Sequence, residues 1–276
     1  MPPLSLKFAF VGAGNIAKAI VGGLITKRLV PSSDIFVFDT DCSKYECDIM
    51  RSVKCCDTLK SAVEAADVVC FALKPTVIAT AIDSIKSEVS AFSDKIYLSV
   101  AAAVSSEYIC SKFGVDVPVI RTMPNTPLLL GEGAVAISRN AMVNDRIFST
   151  VCRLFSSIAE ISVIDEAMMN PIISVNGSSP AYLYLFFKGM LEGAVSQGVP
   201  ADKAMPLILQ SIRGACCMIE RSGKDVDTLI SDVSSPNGTT LAALSVFNER
   251  DLVGTIVDAM DACTKRANEM ERELSN

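Results

Sequence analysis

Short apolar runs along the first part of the chain alternate with longer stretches in which apolar residues recur every three or four positions. The runs are Lys7–Gly12 (KFAFVG), Asp34–Asp39 (DIFVFD), Asp67–Leu73 (DVVCFAL), Lys95–Val100 (KIYLSV), Val117–Thr122 (VPVIRT) and Glu160–Asp165 (EISVID). The helix-period stretches between them include 15–27, 77–87 and 106–113. Strands apolar on both faces and alternating with helices predict an α/β fold, a mostly parallel sheet covered on both sides. After Asp165 the strand signals stop. Residues 166–174, 180–197, 203–221, 226–233, 240–248 and 251–274 all read as helices, separated by Gly, Ser and Pro. Residues 180–197 (PAYLYLFFKGMLEGAVSQ) are apolar nearly all round, more than one small helical domain needs, which predicts packing against a second subunit. Two domains are expected: residues 1–165 carrying the sheet and residues 166–276 all helical.

Composition narrows the chemistry. Of 276 residues, 50% are apolar and 20% charged, enough to bury a core. The net charge is −6 and no basic cluster exceeds two neighbours, so no nucleic-acid partner is expected. Histidine is absent. That excludes Ser-His-Asp and Cys-His catalysis and His-ligated zinc, and no metal site is expected. The 10 cysteines form no C-x-x-C pair and read as buried free thiols in a reducing compartment. Gly12, Gly14, Asn15 and Lys18 interrupt the first apolar stretch, and no other comes near the ~18 residues of a membrane span. The reading is a soluble, cytoplasmic protein.

The first run leads into Gly12-x-Gly14-x-x-Ala17 and then a helix. Gly12 permits the tight turn, Gly14 lets backbone approach a pyrophosphate, and Ala17 allows close helix–strand packing. In that context the motif predicts a Rossmann-type dinucleotide site formed by Val11, Gly12, Ala13, Gly14, Asn15 and Ile16. Asp39, ending the second strand, suits the ribose 2′-OH of NADH, whereas Thr40, Ser43 and Lys44 beside it could take the 2′-phosphate of NADPH. Both cofactors stay open. Further features fall at strand C-termini, where open α/β sheets bind ligands: Ala72-Leu73-Lys74-Pro75, then Val100, Ala101 and Ala102, and Asn125 within MPNTP. The small side chains at 101–103 leave room for a flat ring.

Near the C-terminus, Ser231–Leu244 (SDVSSPNGTTLAAL) gathers hydroxyls and a Pro-Asn-Gly turn at a helix entrance. Either the hydroxyls cap the helix, or the helix amides and hydroxyls hold an anion.

Together VGAGNIAKAI, ALKP, SVAAAV, VIRTMPNTPLLLGEGAVAI, SVNGSSPAYLYLF and DVSSPNGTTLAAL resemble the pyrroline-5-carboxylate reductases over nearly the whole chain. The resemblance implies a Rossmann domain followed by an all-helical dimerisation domain, a homodimer that can assemble into a ring of dimers, and NADPH or NADH as hydride donor. It implies that the loop Ser234–Thr240 binds the substrate carboxylate through Ser235, Gly238, Thr239 and Thr240. The hydroxyl nearest the imine nitrogen falls on Thr240, and Asp165 and Asp232 line the same pocket. A cyclic imine is protonated near neutral pH, so the lack of histidine is no obstacle. The chain departs from the family pattern at Ser179 and Ala103, where Gly is usual, at Asn237 in place of Gly, and at Thr58-Leu59, where some members carry Asn. Two other readings remain: a β-hydroxyacid or 6-phosphogluconate-type dehydrogenase, whose catalytic lysine could only be Lys188, and an inactive nucleotide-binding module.

Overall fold

The computed structural model describes residues 6–275. Eight strands form one sheet: β1 Phe8–Val11, β2 Ile35–Phe38, β3 Lys54–Cys55, β4 Val68–Phe71, β5 Ile96–Ser99, β6 Val119–Pro124, β7 Gly133–Arg139 and β8 Ala159–Val163. Their order is β3-β2-β1-β4-β5-β6-β7-β8. Strands β1 to β6 run parallel, β7 turns back against β6, and β8 runs parallel to β7.

Alternation along each strand divides the core between two faces. Phe8 and Phe10 of β1, Val68 and Cys70 of β4, and Ile96 and Leu98 of β5 point to one face. Val11, Val69, Phe71 and Tyr97 point to the other. Helices α1 (Asn15–Thr26) and α6 (Asp145–Ser156) contribute Ile20, Leu24, Val151 and Phe155 to the first face. On the second, α4 (Pro75–Glu88) supplies Ile78, Ile82 and Ile85, and α5 (Ser106–Phe113) supplies Ile109 and Phe113. Two short helices, α2 (Asp48–Arg51) and α3 (Leu59–Glu64), flank β3.

By packing, the chain divides into two units, the second being Ala181–Asp261. The first therefore also holds the residues up to Pro180 and those from Ala262 onward. The helix expected over 166–174 is broken in three: a 3-10 turn Glu166–Met168, α7 (Met169–Ile172) and a π turn Ile173–Gly177. Pro171, which lacks an N–H, and the inward pull on Asn176 described below account for the break. Helix α8 runs Ser179–Ser196, α9 Ala201–Arg221, α10 Val226–Asp232, α11 Thr239–Glu249 and α12 Leu252–Ser275. In the second unit Leu183, Tyr184, Leu185 and Phe186 of α8 are all exposed within the single chain.

The expectation of buried thiols is corrected. All ten cysteines are free, but Cys70 alone is buried, and Cys42, Cys55, Cys216 and Cys217 are exposed. The adjacent pair on α9 sits on a helix most of whose residues face outward within the single chain, so apolar sequence context did not amount to burial inside one subunit.

Candidate active site

The turn from β1 to α1 depends on its glycines. Gly12 has φ +104°, and a Cβ there would lie 2.3 Å from the Ala72 carbonyl oxygen. Its N–H donates to the Phe38 carbonyl at 2.8 Å, while the Ala72 N–H donates to the Val11 carbonyl at 2.9 Å. Three strand ends thus converge on one backbone position that admits no side chain. Ala13 is fully buried beside it. Gly14 is the N-cap of α1, and no side chain caps the helix. A Cβ on Gly14 would meet nothing within 4 Å. The first-turn amides of α1, at Asn15 and Ile16, therefore have no capping side chain, as a pyrophosphate site requires. The residues present fit a dinucleotide.

Asp39 closes the adjacent end of β2. Its Oδ2 accepts from the Ala13 N–H at 2.8 Å, and its Oδ1 from the Asp41 N–H at 2.9 Å. Lys44 Nζ reaches both oxygens, at 2.9 and 3.0 Å. Tyr45 clamps the Asp39 backbone, accepting from its N–H and donating to its carbonyl. Burial pushes the carboxyl upward, but the two backbone N–H groups and Lys44 outweigh it and hold Asp39 below the ordinary aspartate range.

The remaining strand-end residues fall along the same edge. Ala72 and Leu73 pack into the two core faces, Lys74 is the N-cap of α4 and Pro75 its first residue. Val100 donates from its N–H to the Phe71 carbonyl, and the buried Ala101 N–H meets the Ser99 hydroxyl. Ala102 follows, half-buried. Ala103 is buried at φ +59°. Left-handed backbone costs an L-residue about 1–2 kcal/mol, only partly offset by the greater freedom of glycine in the unfolded chain. Ala103→Gly is thus expected to raise the melting midpoint by roughly 2–4 °C, read by circular dichroism.

Asn125 is committed to structure: its Oδ1 accepts from the Ala134 N–H and its Nδ2 donates to Asn176 Oδ1 at 3.0 Å. Asn176 in turn donates to the Met123 and Ala134 carbonyls. The MPNTP and SVNG segments are thereby tied together across the sheet edge.

One cluster was not legible in the sequence. Arg121, on β6 and 4% exposed, donates to Glu166 at 3.1 Å. Glu166 also accepts from the Ser106 N–H and hydroxyl at the start of α5. Arg121 Nη2 has no partner among the described residues. Asp165, one residue earlier, is exposed and follows β8, which lies at the sheet edge and runs against β1. The structure does not bring it to the glycine turn.

In the second unit, Asp232 accepts from Lys224 Nζ at 2.6 Å. The Ser234 hydroxyl donates back to the Ile230 carbonyl at the end of α10. Asn237 sits at φ +58°, the left-handed conformation that asparagine tolerates in place of glycine. The Ser235 carbonyl accepts from the Gly238 N–H at 2.9 Å. Gly238 is the N-cap of α11, and no side chain caps that helix. Neither the Thr239 nor the Thr240 hydroxyl has a partner among the described residues. Capping does not explain this segment. Lys188 is exposed and lies 3.7 Å from Glu192, one turn along α8.

A mostly parallel sheet whose first strand ends in an uncapped helix and a side-chain-free turn, with an anchored acid ending the second strand, defines a dinucleotide-binding protein of the Rossmann class. The family described as Pyrroline-5-carboxylate reductase dimerisation matches residues 166–270, and the one described as NADP oxidoreductase coenzyme F420-dependent matches 7–103. The pyrroline-5-carboxylate reductase of Escherichia coli (strain K12) is 30% identical over 96% of this chain and 98% of its own length. That of Haemophilus influenzae is 34% identical over 95% and 97%. The crystal structure of Plasmodium falciparum pyrroline carboxylate reductase with NADP bound superposes with a TM-score of 0.89 at 23% identity, covering 98% of this chain and 99% of that one. The chain belongs to the pyrroline-5-carboxylate reductase family. It carries that family's dimerisation domain and is a homo-oligomer. No helix among the described residues is long and apolar enough to cross a membrane.

Proposed function

We propose that this chain reduces 1-pyrroline-5-carboxylate to L-proline, with NADPH or NADH as hydride donor, and that Thr240 is its catalytic hydroxyl. The observation that carries the substrate reading is the uncapped N-terminus of α11. Its first-turn amides, with the neighbouring hydroxyls of Thr239 and Thr240, suit a carboxylate. Ser235 and Gly238 shape that entrance: a Cβ on Gly238 would lie 2.4 Å from Ser235 Oγ. Asp165 and Asp232 are assigned to the pocket on the family resemblance.

A bound reduced nicotinamide supplies the hydride. The protein holds the imino acid by its carboxylate so that the imine carbon meets the donor, and it excludes water. Thr240 donates or relays a proton to the ring nitrogen as the C=N bond becomes C–N. The cradle for the dinucleotide is Val11 to Ile16 with Asp39, Ala72–Pro75, Val100–Ala102 and Asn125. Functionally the chain divides into residues 1–165 and 166–276, a division supported by the start of the dimerisation match at residue 166. The exposed apolar residues around α8 support a homodimer, and the finer reading is a ring of such dimers in the cytoplasm.

Oxidation of NADH and NADPH at saturating pyrroline-5-carboxylate, followed by absorbance, tests the reaction. Thr240→Ala is expected to lower kcat by about 100-fold, the scale of a lost proton donor, with dinucleotide Kd unchanged. Turnover equal to wild type would remove Thr240 from the mechanism. Absence of turnover in wild type would overturn the function.

A further inference from the structure

Reduction of a C=N bond needs the reduced ring held at near-attack distance from the imine carbon. We propose that Asn176 is a positioning residue for that hydride transfer, acting through Asn125 and the backbone at the end of β6. The role presupposes the function proposed above. It falls on a residue outside both the dinucleotide cradle and the substrate loop.

Asn176 is 9% exposed, and both hydrogens of its amide are used. Nδ2 donates to the Met123 carbonyl at 2.6 Å and to the Ala134 carbonyl at 3.0 Å. Oδ1 accepts from Asn125 Nδ2 at 3.0 Å, and Asn125 Oδ1 accepts in turn from the Ala134 N–H at 2.9 Å. One side chain thus joins β6 to β7 where their ladder stops. The register ends at Pro124 opposite Val135, and beyond it the Asn125 N–H reaches the Ala134 carbonyl only at 3.3 Å. Removing Asn176 would leave that strand end held by Asn125 alone.

The same strand end bears on the ring. Ala102 and Asn125 belong to the proposed cradle, and Ala102 packs with Ile172 and Ile173 against the cluster of Met123, Ala136 and Met169. A shift of Met123 therefore moves the surface that Ala102 offers to a flat ring. Asn125 donates once from Nδ2, to Asn176, and its second hydrogen has no partner among the described residues. By accepting the first hydrogen, Asn176 fixes where the second points. Asn176 is itself delivered by an irregularity, the π turn Ile173–Gly177, in which the Ser178 N–H donates to the Ile173 carbonyl at 2.8 Å. Such turns give up helical regularity and recur at functional sites.

Single-turnover absorbance on the full-length protein separates positioning from stability, using pyrroline-5-carboxylate in excess and whichever of NADH and NADPH wild type oxidises faster. The amplitude counts folded, loaded sites, and the rate constant reads the hydride step within them. Asn176→Ala is expected to lower that rate constant about 30-fold, because displacing the reacting atoms by ~1 Å costs on the order of 100-fold. Asn176→Ser keeps one hydroxyl to donate and accept, and is expected to recover part of the rate. Asn125→Ala should slow the step as well, and the double variant should be no slower than the worse single, since both residues act through one network. A lower amplitude with the wild-type rate constant would make Asn176 a structural bond only, overturning the inference and leaving the proposed function standing. Additive losses in the double variant would do the same. Should Asn176→Ala fail to fold, Asn176→Ser carries the test, and a wild-type rate constant there overturns the inference. Wild type without turnover overturns both.

Discussion

Gly12→Ala is expected to abolish dinucleotide binding and to destabilise the fold. The added Cβ would lie 2.3 Å from the Ala72 carbonyl oxygen and 2.9 Å from its carbon, at φ +104°. The obstacle is backbone at the end of β4, so no side-chain rotation relieves it. Strained backbone and forced overpacking cost about 1–3 kcal/mol each, so roughly 2–6 kcal/mol in all. The informative control is Gly14→Ala. Gly14 has φ −73° and open space around it. That variant is expected to melt within a degree or two of wild type, yet to raise the dinucleotide Kd at least ~10-fold, because its methyl occupies the space in front of α1. Calorimetric binding beside thermal melting separates the two. Normal binding by both variants would show that the turn is only a connection between β1 and α1.

Glu166→Ala is the second large effect, and it acts on the stability of the fold. Removal of the carboxylate leaves Arg121, 4% exposed, without its counter-charge, and removes the acceptor for both Ser106 donors. Breaking a buried pair in this way costs about 3–5 kcal/mol. Glu166 remains partly exposed, so the lower end applies, a fall in melting midpoint of roughly 6–12 °C. Replacing both partners, Arg121→Met with Glu166→Leu, is expected to recover part of the loss, since an apolar pair of similar volume leaves no buried charge while the Ser106 donors still lose their acceptor. A single variant as stable as wild type would mean that the pair contributes nothing.

The same carboxylate sets a pH dependence. Burial pushes Glu166 upward, but the Ser106 hydroxyl and N–H and the Arg121 guanidinium more than compensate, so its pKa lies below the ordinary value. A group depressed in the folded state stabilises fully above its unfolded pKa, about 4.3. That contribution fades as pH falls through the folded value. Asp39 is lowered as well and acts in the same direction. Urea melts of wild type should therefore lose stability on the acid side of pH 4–5, and Glu166→Gln should show a shallower loss.

How much was legible beforehand follows from which interactions are local. Strand β4, the turn Gly12–Gly14 and helix α5 are written in runs and caps a few residues long, and hydrophobic period with glycine placement was enough to read them. Strand β7, Gly133–Arg139, escaped because Gly, Ala and Ser dilute its apolar signal. It is a strand because β6 offers it a partner from Ile120 to Pro124. The broken segment 166–177 escaped for a similar reason. Helical period runs through it, but Asn176 is drawn to the Met123 and Ala134 carbonyls, which no local pattern announces.

By itself the sequence determined the alternation of strands and helices, the glycine turn, the acid at the end of β2 and the family motifs, because each is carried by neighbours along the chain. Tertiary structure alone decided that Arg121 and Glu166 pair across 45 residues and that Asn176 donates to the Met123 carbonyl across 53. Those outcomes depend on which donors and acceptors folding brings within about 3 Å, a distance that sequence separation does not encode.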